Sequence, residues 1–306
     1  MPGPALVTKK LMELAGCACR GIAGEDPTAT RIAAVKSIIL LSFFAVVSAG
    51  PLHGQIDKTD TLEQRQPLEL VFADSIVPQD YREMMLTTGA WYSRRLPVHE
   101  GRLTQKVEWG ISDKLQISGF VNPLHLVRSS GTTTTGAGDF DLGFRYTWVN
   151  VGSPFTHVAV AMEAGFPSGD PVTGMGEGAY GLSPSVLLSR EFRNTRYQLF
   201  STIGSEFVLA RRHLNPGDNI PRHEFFANSG FASRLGKGWA VAELAVSTNR
   251  WSGGDETQVA VSPSYVWRLA RRTELLFAVP IGVASSTGHI AGVVKFTFEL
   301  GGDEPR

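Results

Sequence analysis

DFDLGFRYTW, residues 139–148, alternates without a slip: Phe140, Leu142, Phe144, Tyr146 and Trp148 fall on one face, and Asp139, Asp141, Gly143, Arg145 and Thr147 on the other. Successive side chains of a pleated strand point to opposite faces, so this period of two predicts a strand with one aromatic and one charged side. Two architectures use such a strand. In a soluble sandwich the aromatics form the core and the charges meet water. In a membrane barrel the aromatics meet lipid and the charges line a lumen.

The rest of the chain decides between them. After a polar stretch from 55 to about 80, alternating segments recur at 83–94, 102–110, 113–126, 138–149, 155–166, 180–190, 195–207, 222–234, 239–249, 256–268, 272–283 and 288–300, twelve in all. No segment after residue 82 carries a competing helical period. The connections alternate between tight turns (ISD, NVGSP, FRNT, LGKG, ARR) and roomier ones that include RSSGTTTTGAG, PSGDPVTGMGEGA and ARRHLNPGDNIP. Exported barrels sort their loops in this way, with short periplasmic turns, longer extracellular loops and an even strand count. Greek-key sandwiches mix the two.

The faces agree. Phe296, Phe298 and Leu300 oppose Lys295, Thr297 and Glu299, and Leu275, Phe277, Val279 and Ile281 oppose Glu274, Ala278 and Gly282. Trp109, Trp148, Trp239 and Trp267 fall beside the tight turns, where an interfacial indole is at home, although Trp239 shares phase with Glu243 and so also fits the lumen. Turning Arg145 towards lipid near the midplane would cost about 2–4 kcal/mol, so the charged face looks inward. The fold expected is all-β, a transmembrane antiparallel β-barrel of about twelve strands, with ten or fourteen as alternatives because LELVFADSIV at 68–77 also alternates.

Composition supports export and argues against several functions. The 306 residues carry 29 Lys plus Arg against 29 Asp plus Glu, which points to no nucleic-acid partner. Arg31 and Lys36 precede SIILLSFFAVVSA at 37–49, an uncharged run suited to the core of a signal peptide and too short to span a bilayer. The expected organisation is a lead and signal peptide over 1–49, with cleavage as late as 54, a periplasmic segment over 50–82, the barrel over 83–300 and a tail over 301–306. Both cysteines, Cys17 and Cys19, lie in the lead, so the exported chain has no disulfide and no thiolate.

GAGDFDLGFRY at 136–146, FPSGD at 166–170 and GLSPSVLLSR at 181–190 resemble the MetA-pathway phenol-degradation transporter-like outer-membrane β-barrel family over roughly residues 80–300. The resemblance implies the barrel fold and an aromatic or hydrophobic solute. One feature departs from many such barrels: Phe298 is followed by ELGGDEPR rather than ending the chain.

Candidate chemistry is sparse. GEGAYG at 176–181 matches a phosphate-loop pattern but lies between strands with no helix to complete it. The loops SGD, PGD and GGDE lack calcium-type ligand spacing. His125, His157, His213, His223 and His289 are available to an outer-membrane hydrolase, yet none sits in a hydrolase motif. No cofactor, metal or catalytic residue is expected. What remains is the lumen, with Lys106, Glu108, Asp141, Arg145, Glu163, Glu206, Glu224, Arg234, Glu243, Arg268, Glu274, Lys295 and Glu299 as candidates to face it, and Trp109, Tyr146, Trp148, Tyr265 and Trp267 as a membrane girdle.

Barrels of eight strands are filled by side chains and those of sixteen are open, so twelve leave a narrow passage. The function expected is passage of a small solute. The alternatives are a hydrolase and a non-conducting structural or adhesive barrel. The expected partners are outer-membrane lipid and lipopolysaccharide, the barrel-assembly machinery and the solute, with location in a bacterial outer membrane. A first check is heat-modifiability: unboiled protein from the outer-membrane fraction should migrate differently from boiled protein, whereas a sandwich would be soluble and show no shift.

Overall fold

A computed structural model of the chain describes residues 66–95, 98–129, 131–153, 155–192, 196–211, 223–249, 257–284 and 290–301. The signal segment, both cysteines and the tail beyond Gly301 lie outside the described residues. Fourteen strands follow one another: β1 (Met84–Arg95), β2 (Val98–Gly110), β3 (Leu115–Ser129), β4 (Thr132–Gly136), β5 (Phe140–Trp148), β6 (Thr156–Phe166), β7 (Ala179–Phe192), β8 (Tyr197–Arg211), β9 (His223–Leu235), β10 (Gly238–Thr248), β11 (Thr257–Ala270), β12 (Thr273–Ala278), β13 (Ile281–Ala284) and β14 (Ile290–Leu300).

They make twelve staves. β4 is a hairpin arm that folds back on β3 beyond Val121, where β3 stops pairing with β5. β12 and β13 are one stave broken at Val279 and Pro280, since proline has no N–H for the ladder. All neighbours are antiparallel, and β1 pairs with β14 from Met84↔Leu300 to Arg94↔Ile290, which closes the ring. Closure leaves no open edge, the condition for a sheet in hydrocarbon.

The expected strand positions hold to within a few residues, with two differences. LELVFADSIV forms no strand, so the count stays at twelve. The loops also do not sort strictly by parity, since β1 and β2 approach within two residues of each other at the end where the other loops are long.

The opening stretch settles its own question. Phe144 is 46% exposed on the outer wall, and Arg145 beside it is 6% exposed within the ring. Around the turn-side end, Trp109, Trp148 and Trp267 are exposed outside, with Tyr146 edge-on to Trp148 at 4.8 Å and the Tyr265 hydroxyl donating to Leu235 O at 3.0 Å. A second set of outward rings sits at the loop-side end: Phe140, Phe166 and Tyr180 in sequence across three strands, and Phe207 stacked on His223. Two aromatic bands separated by apolar wall are the outline of a membrane-spanning barrel.

Trp239 belongs to neither band. It is buried on the inner face with Phe200, Ala232, Val241, Val266, Leu276, Ala278 and Val293. The inner wall of β8–β14 therefore carries an apolar patch among its charged residues.

Phe144→Arg should destabilise the folded barrel by about 2–4 kcal/mol, measured as a shift of the urea unfolding midpoint in lipid vesicles. The same change at the rim residue Trp148 should cost less, because depth sets the penalty. Equal costs at both positions would mean that this face does not meet hydrocarbon.

Candidate functional site: a plugged lumen beneath an acidic vestibule

Residues 66–82, the described part of the segment expected in the periplasm, lie against lumen side chains instead. Just before β1, Arg82 adopts a left-handed backbone (φ 64°), its N–H donates to Gly110 O at 2.9 Å, and the Gly110 N–H donates to Glu83 O at 2.9 Å. A Cβ on Gly110 would lie 2.0 Å from Asp80 O, so only glycine fits where the chain turns inward. From this hinge, residues 66–80 form an irregular re-entrant loop. Gln79 meets Gln116 near one short turn, residues 71–74 reach Glu243, Asn228 and Thr202 farther along their strands, and Gln66 returns to Glu191 and Gln198 beside another short turn. The Ser75 hydroxyl donates across the loop to Pro67 O at 3.2 Å.

A loop with no ladder of its own still has to satisfy its buried peptide groups. Lumen side chains do this. Glu243 accepts three consecutive N–H groups at the tip, Val71 at 2.8 Å, Phe72 at 2.9 Å and Ala73 at 3.0 Å. Such a run of N–H groups is a nest for an anion. Arg145 donates to Ser75 O at 2.5 Å and Val77 O at 3.0 Å, Lys295 to Leu70 O at 2.6 Å, and Asn228 to Phe72 O at 2.8 Å. Glu274 accepts from Leu68 N at 2.9 Å, and Arg268 donates to Gln66 O at 3.0 Å.

The loop contributes one charge deep inside. Glu69 lies 3.3 Å from Lys106 and 3.0 Å from Lys295, and Lys106 also lies 3.2 Å from Glu108. Glu108 in turn accepts from Gln116 at 2.7 Å and sits 3.6 Å from Arg145. Opposite charges at these spacings offset the desolvation of a buried ion. Arg268 and Glu274 form a second pair at 2.5 Å. Apolar contacts complete the seating: Leu70 and Ala73 join the inner apolar wall, and Ile76 packs with Ala159 and Leu187.

At the loop-side end the lumen opens into a vestibule of about 540 Å³, its walls including Asp141, Glu163, Glu206, Phe120 and Met175. Glu206 and Glu224 face each other in register across β8 and β9. Small inward residues make the room: Gly165 lies beside Asp141 and Gly181 beside Glu206. The connection over 167–178 folds into this space and is pinned there by Asp139, whose carboxylate accepts from Gly169 N at 2.8 Å and Glu177 N at 2.6 Å. Met175 on the same loop is buried against Gly136. Desolvation, and then the neighbouring Asp139 and Glu224, hold the Glu177 carboxyl above the ordinary carboxylate range. A smaller cavity of about 220 Å³, lined by Trp91, Val71, Val293, Lys106 and Lys295, shares Arg102, Phe120 and Asn122 with the vestibule.

The thirteen lumen candidates thus fall into groups. Lys106, Glu108, Arg145, Lys295, Glu243, Arg268 and Glu274 surround the loop, while Asp141, Glu163, Glu206 and Glu224 belong to the mouth. Arg234 lies exposed at the turn-side end of β9, and Glu299 is buried near the end of β14. Glu69, Asp139, Met175 and the nest at 71–73 were not foreseen. Of the histidines, His125 lies 2.7 Å from Glu100 and His157 lies 3.2 Å from Glu191, while His213 and His289 lie outside the described residues. Among the described residues no group of three or more His, Cys, Asp or Glu is placed to hold a metal.

No protein-family model matches the chain, and no curated protein matches it. Solved structures do. An outer-membrane channel from Pseudomonas putida F1 superposes with a TM-score of 0.61 at 8% identity, covering 76% of this chain and 100% of its own. The NanC porin superposes with a TM-score of 0.52 at 11% identity, covering 70% of this chain and 100% of its own. At such identities the likeness is one of fold, that of outer-membrane barrels.

Glu243→Ala removes the acceptor of three buried N–H groups. The loop should loosen by about 3 kcal/mol, seen as roughly hundredfold faster hydrogen exchange over 68–77 with the barrel still heat-modifiable. Glu243→Gln, which keeps one acceptor oxygen, should have a smaller effect. Unchanged protection in the alanine variant would show that the nest does not anchor the loop.

Proposed function

We propose that the barrel gives a small solute passage across the outer membrane, and that the solute is aromatic or hydrophobic. The observation that carries this reading is the vestibule, which continues through shared walls into the inner cavity beside a loop held by hydrogen bonds, ion pairs and packing alone. A barrel that only held its own strands together would need no hollow mouth above a separable filling.

The character of the solute is argued from the walls and the resemblance together. Phe120 and Met175 offer the vestibule apolar contact, while its carboxylates repel anions. Trp91, Val71 and Val293 continue the apolar contact inward. The MetA-pathway transporter-like motifs around 136–146, 166–170 and 181–190 supply the preference for aromatics. On this reading the solute enters past the loop over 167–178 and moves along the small-residue wall of Gly143, Ala161, Ser183 and Ser185. It leaves when the loop over 66–80 shifts from its polar partners. The lumen candidates around the mouth and the loop then act in two roles, mouth carboxylates as a charge filter and inner ions of both signs as the holders of the plug. No covalent chemistry is involved.

Planar-bilayer recordings test this. Intact protein should conduct weakly, and a variant lacking residues 66–79 should conduct about threefold more or better, because a cleared twelve-stranded lumen is wider. Liposome swelling with a neutral aromatic solute should follow the same order, and an anionic analogue should lag behind it. If the deletion variant inserts, shows heat-modifiability and conducts no more than the intact protein, passage along this lumen is wrong.

A further inference from the structure

The outer wall carries a feature that passage through the lumen does not use. In β1, β2 and β3, Arg94 pairs with His99, and His99 pairs with Arg128. All three lie on the outside. Arg94 follows the exterior phase of Tyr92, opposite the buried Met85, Thr87 and Ser93, and His99 follows the phase of the exposed Val107 and Trp109. Arg128 alternates with His125 and Val127, which line the vestibule. Adjacent strands lie about 4.8 Å apart, so the two arginine backbones stand roughly 10 Å from each other with an imidazole between them.

Height places this row. Met84, paired with the girdle residue Trp109, marks the lower interface, and Arg94 lies ten residues farther along β1. At about 3.3 Å per residue and a tilt of about 40°, that is roughly 25 Å of height. The apolar band of such barrels is about 25 Å tall, so the row stands at its upper border, level with the headgroups of the facing leaflet. Tyr92 marks the same border: it is 55% exposed, and its hydroxyl hydrogen-bonds His99 Nδ1 at 2.8 Å.

Two guanidiniums in one row across three strands make this stretch of the border positive. Among the described residues no carboxylate pairs with Arg94 or Arg128, and the flanking positions in the same row are Ile290 on β14 and Thr133 on β4. The anion that would relieve this row is therefore not supplied by the protein. We propose that Arg94, His99 and Arg128 bind the phosphate of a phosphorylated glycolipid headgroup in the outer leaflet, with the acyl chains lying along the exposed apolar wall below, at Leu124 and Val294. Two guanidiniums converging on one phosphate give the charge-assisted, forked geometry that favours arginine. The hydroxyl of Tyr92 faces the adjoining sugar. The proposal needs the loop-side end to face outward, and it is independent of what crosses the lumen.

The test uses the full exported chain in detergent, titrated with bisphosphorylated lipid A and followed by native mass spectrometry. Saturable binding is expected, weakened about tenfold in the double variant Arg94→Ala/Arg128→Ala and several-fold in Arg94→Lys/Arg128→Lys, which keeps the charge without the fork. Lys114→Ala, at the opposite end, should bind as the parent does. Heat-modifiability verifies folding, and should the alanine pair fail it, the lysine pair carries the comparison. Conductance should be unchanged in both pairs. Equal binding by the double variants, equal binding of dephosphorylated lipid A or of phosphatidylglycerol, or full competition by inorganic phosphate would each overturn the proposal. Orientation is read separately, by labelling a Gly131→Cys variant from outside intact cells, so a wrong orientation is distinguishable from a wrong ligand.

Discussion

A backbone that crosses hydrocarbon has no water to bond to, and every other feature of this molecule is arranged around that constraint. The register between β1 and β14, continuous from Met84↔Leu300 to Arg94↔Ile290, satisfies it by joining the first stave to the last. Closure fixes which side chains can be charged. An ion on the outer wall must lie at a border, as Arg94 does, and an ion elsewhere must lie inside, as Arg145 does. Closure also creates an interior that must be filled or hydrated, and filling it with the chain's own residues 66–80 raises the backbone problem a second time. Here no neighbouring strand is available, so Glu243, Arg145, Lys295 and Asn228 take the place of a ladder.

The two ends of the lumen solve the charge problem in opposite ways. Below, Glu69 between Lys106 and Lys295, and Glu274 beside Arg268, bring buried ions to short range of opposite charge. Above, Asp141, Glu163, Glu206 and Glu224 gather carboxylates where water and solute have access. Asp139 is the exception, since its charge is spent on two backbone N–H groups of the loop over 167–178 and so becomes structural. An excess of carboxylates at the mouth and balanced signs beneath suit a filter above a seal.

How much of this could be read from the residues depends on which force sets each feature. The strands were legible because lipid on one side imposes a period of two, and DFDLGFRYTW displays it without interruption. The inward direction of Arg145 and Glu243 was legible because the alternative is too costly. The apolar inner wall was legible only at Trp239, through its phase with Glu243: Phe200 and Val266 sit on strands whose outer faces are apolar too, and alternation says little when both faces are alike. The loop over 66–80 was illegible for a different reason. LELVFADSIV alternates as a strand would, but its partners are side chains scattered over β3, β5, β8, β9, β10, β12 and β14, and no local pattern records them.

The position of those partners along the chain has a consequence for how the molecule comes into being. The loop is followed at once by β1, yet the groups that hold it are on β10, on β12 and on β14, the last strand to be delivered. Until Lys295 arrives, Glu69 lacks one of its two cations and the interior stands open to water on one side. The full set of contacts that seats the loop therefore exists only in a ring that has shut. A barrel with its last strand missing or out of register would leave its amino-terminal arm without Lys295 to hold Leu70 and Glu69. The arm therefore reports, from the front of the chain, on whether the back was built correctly.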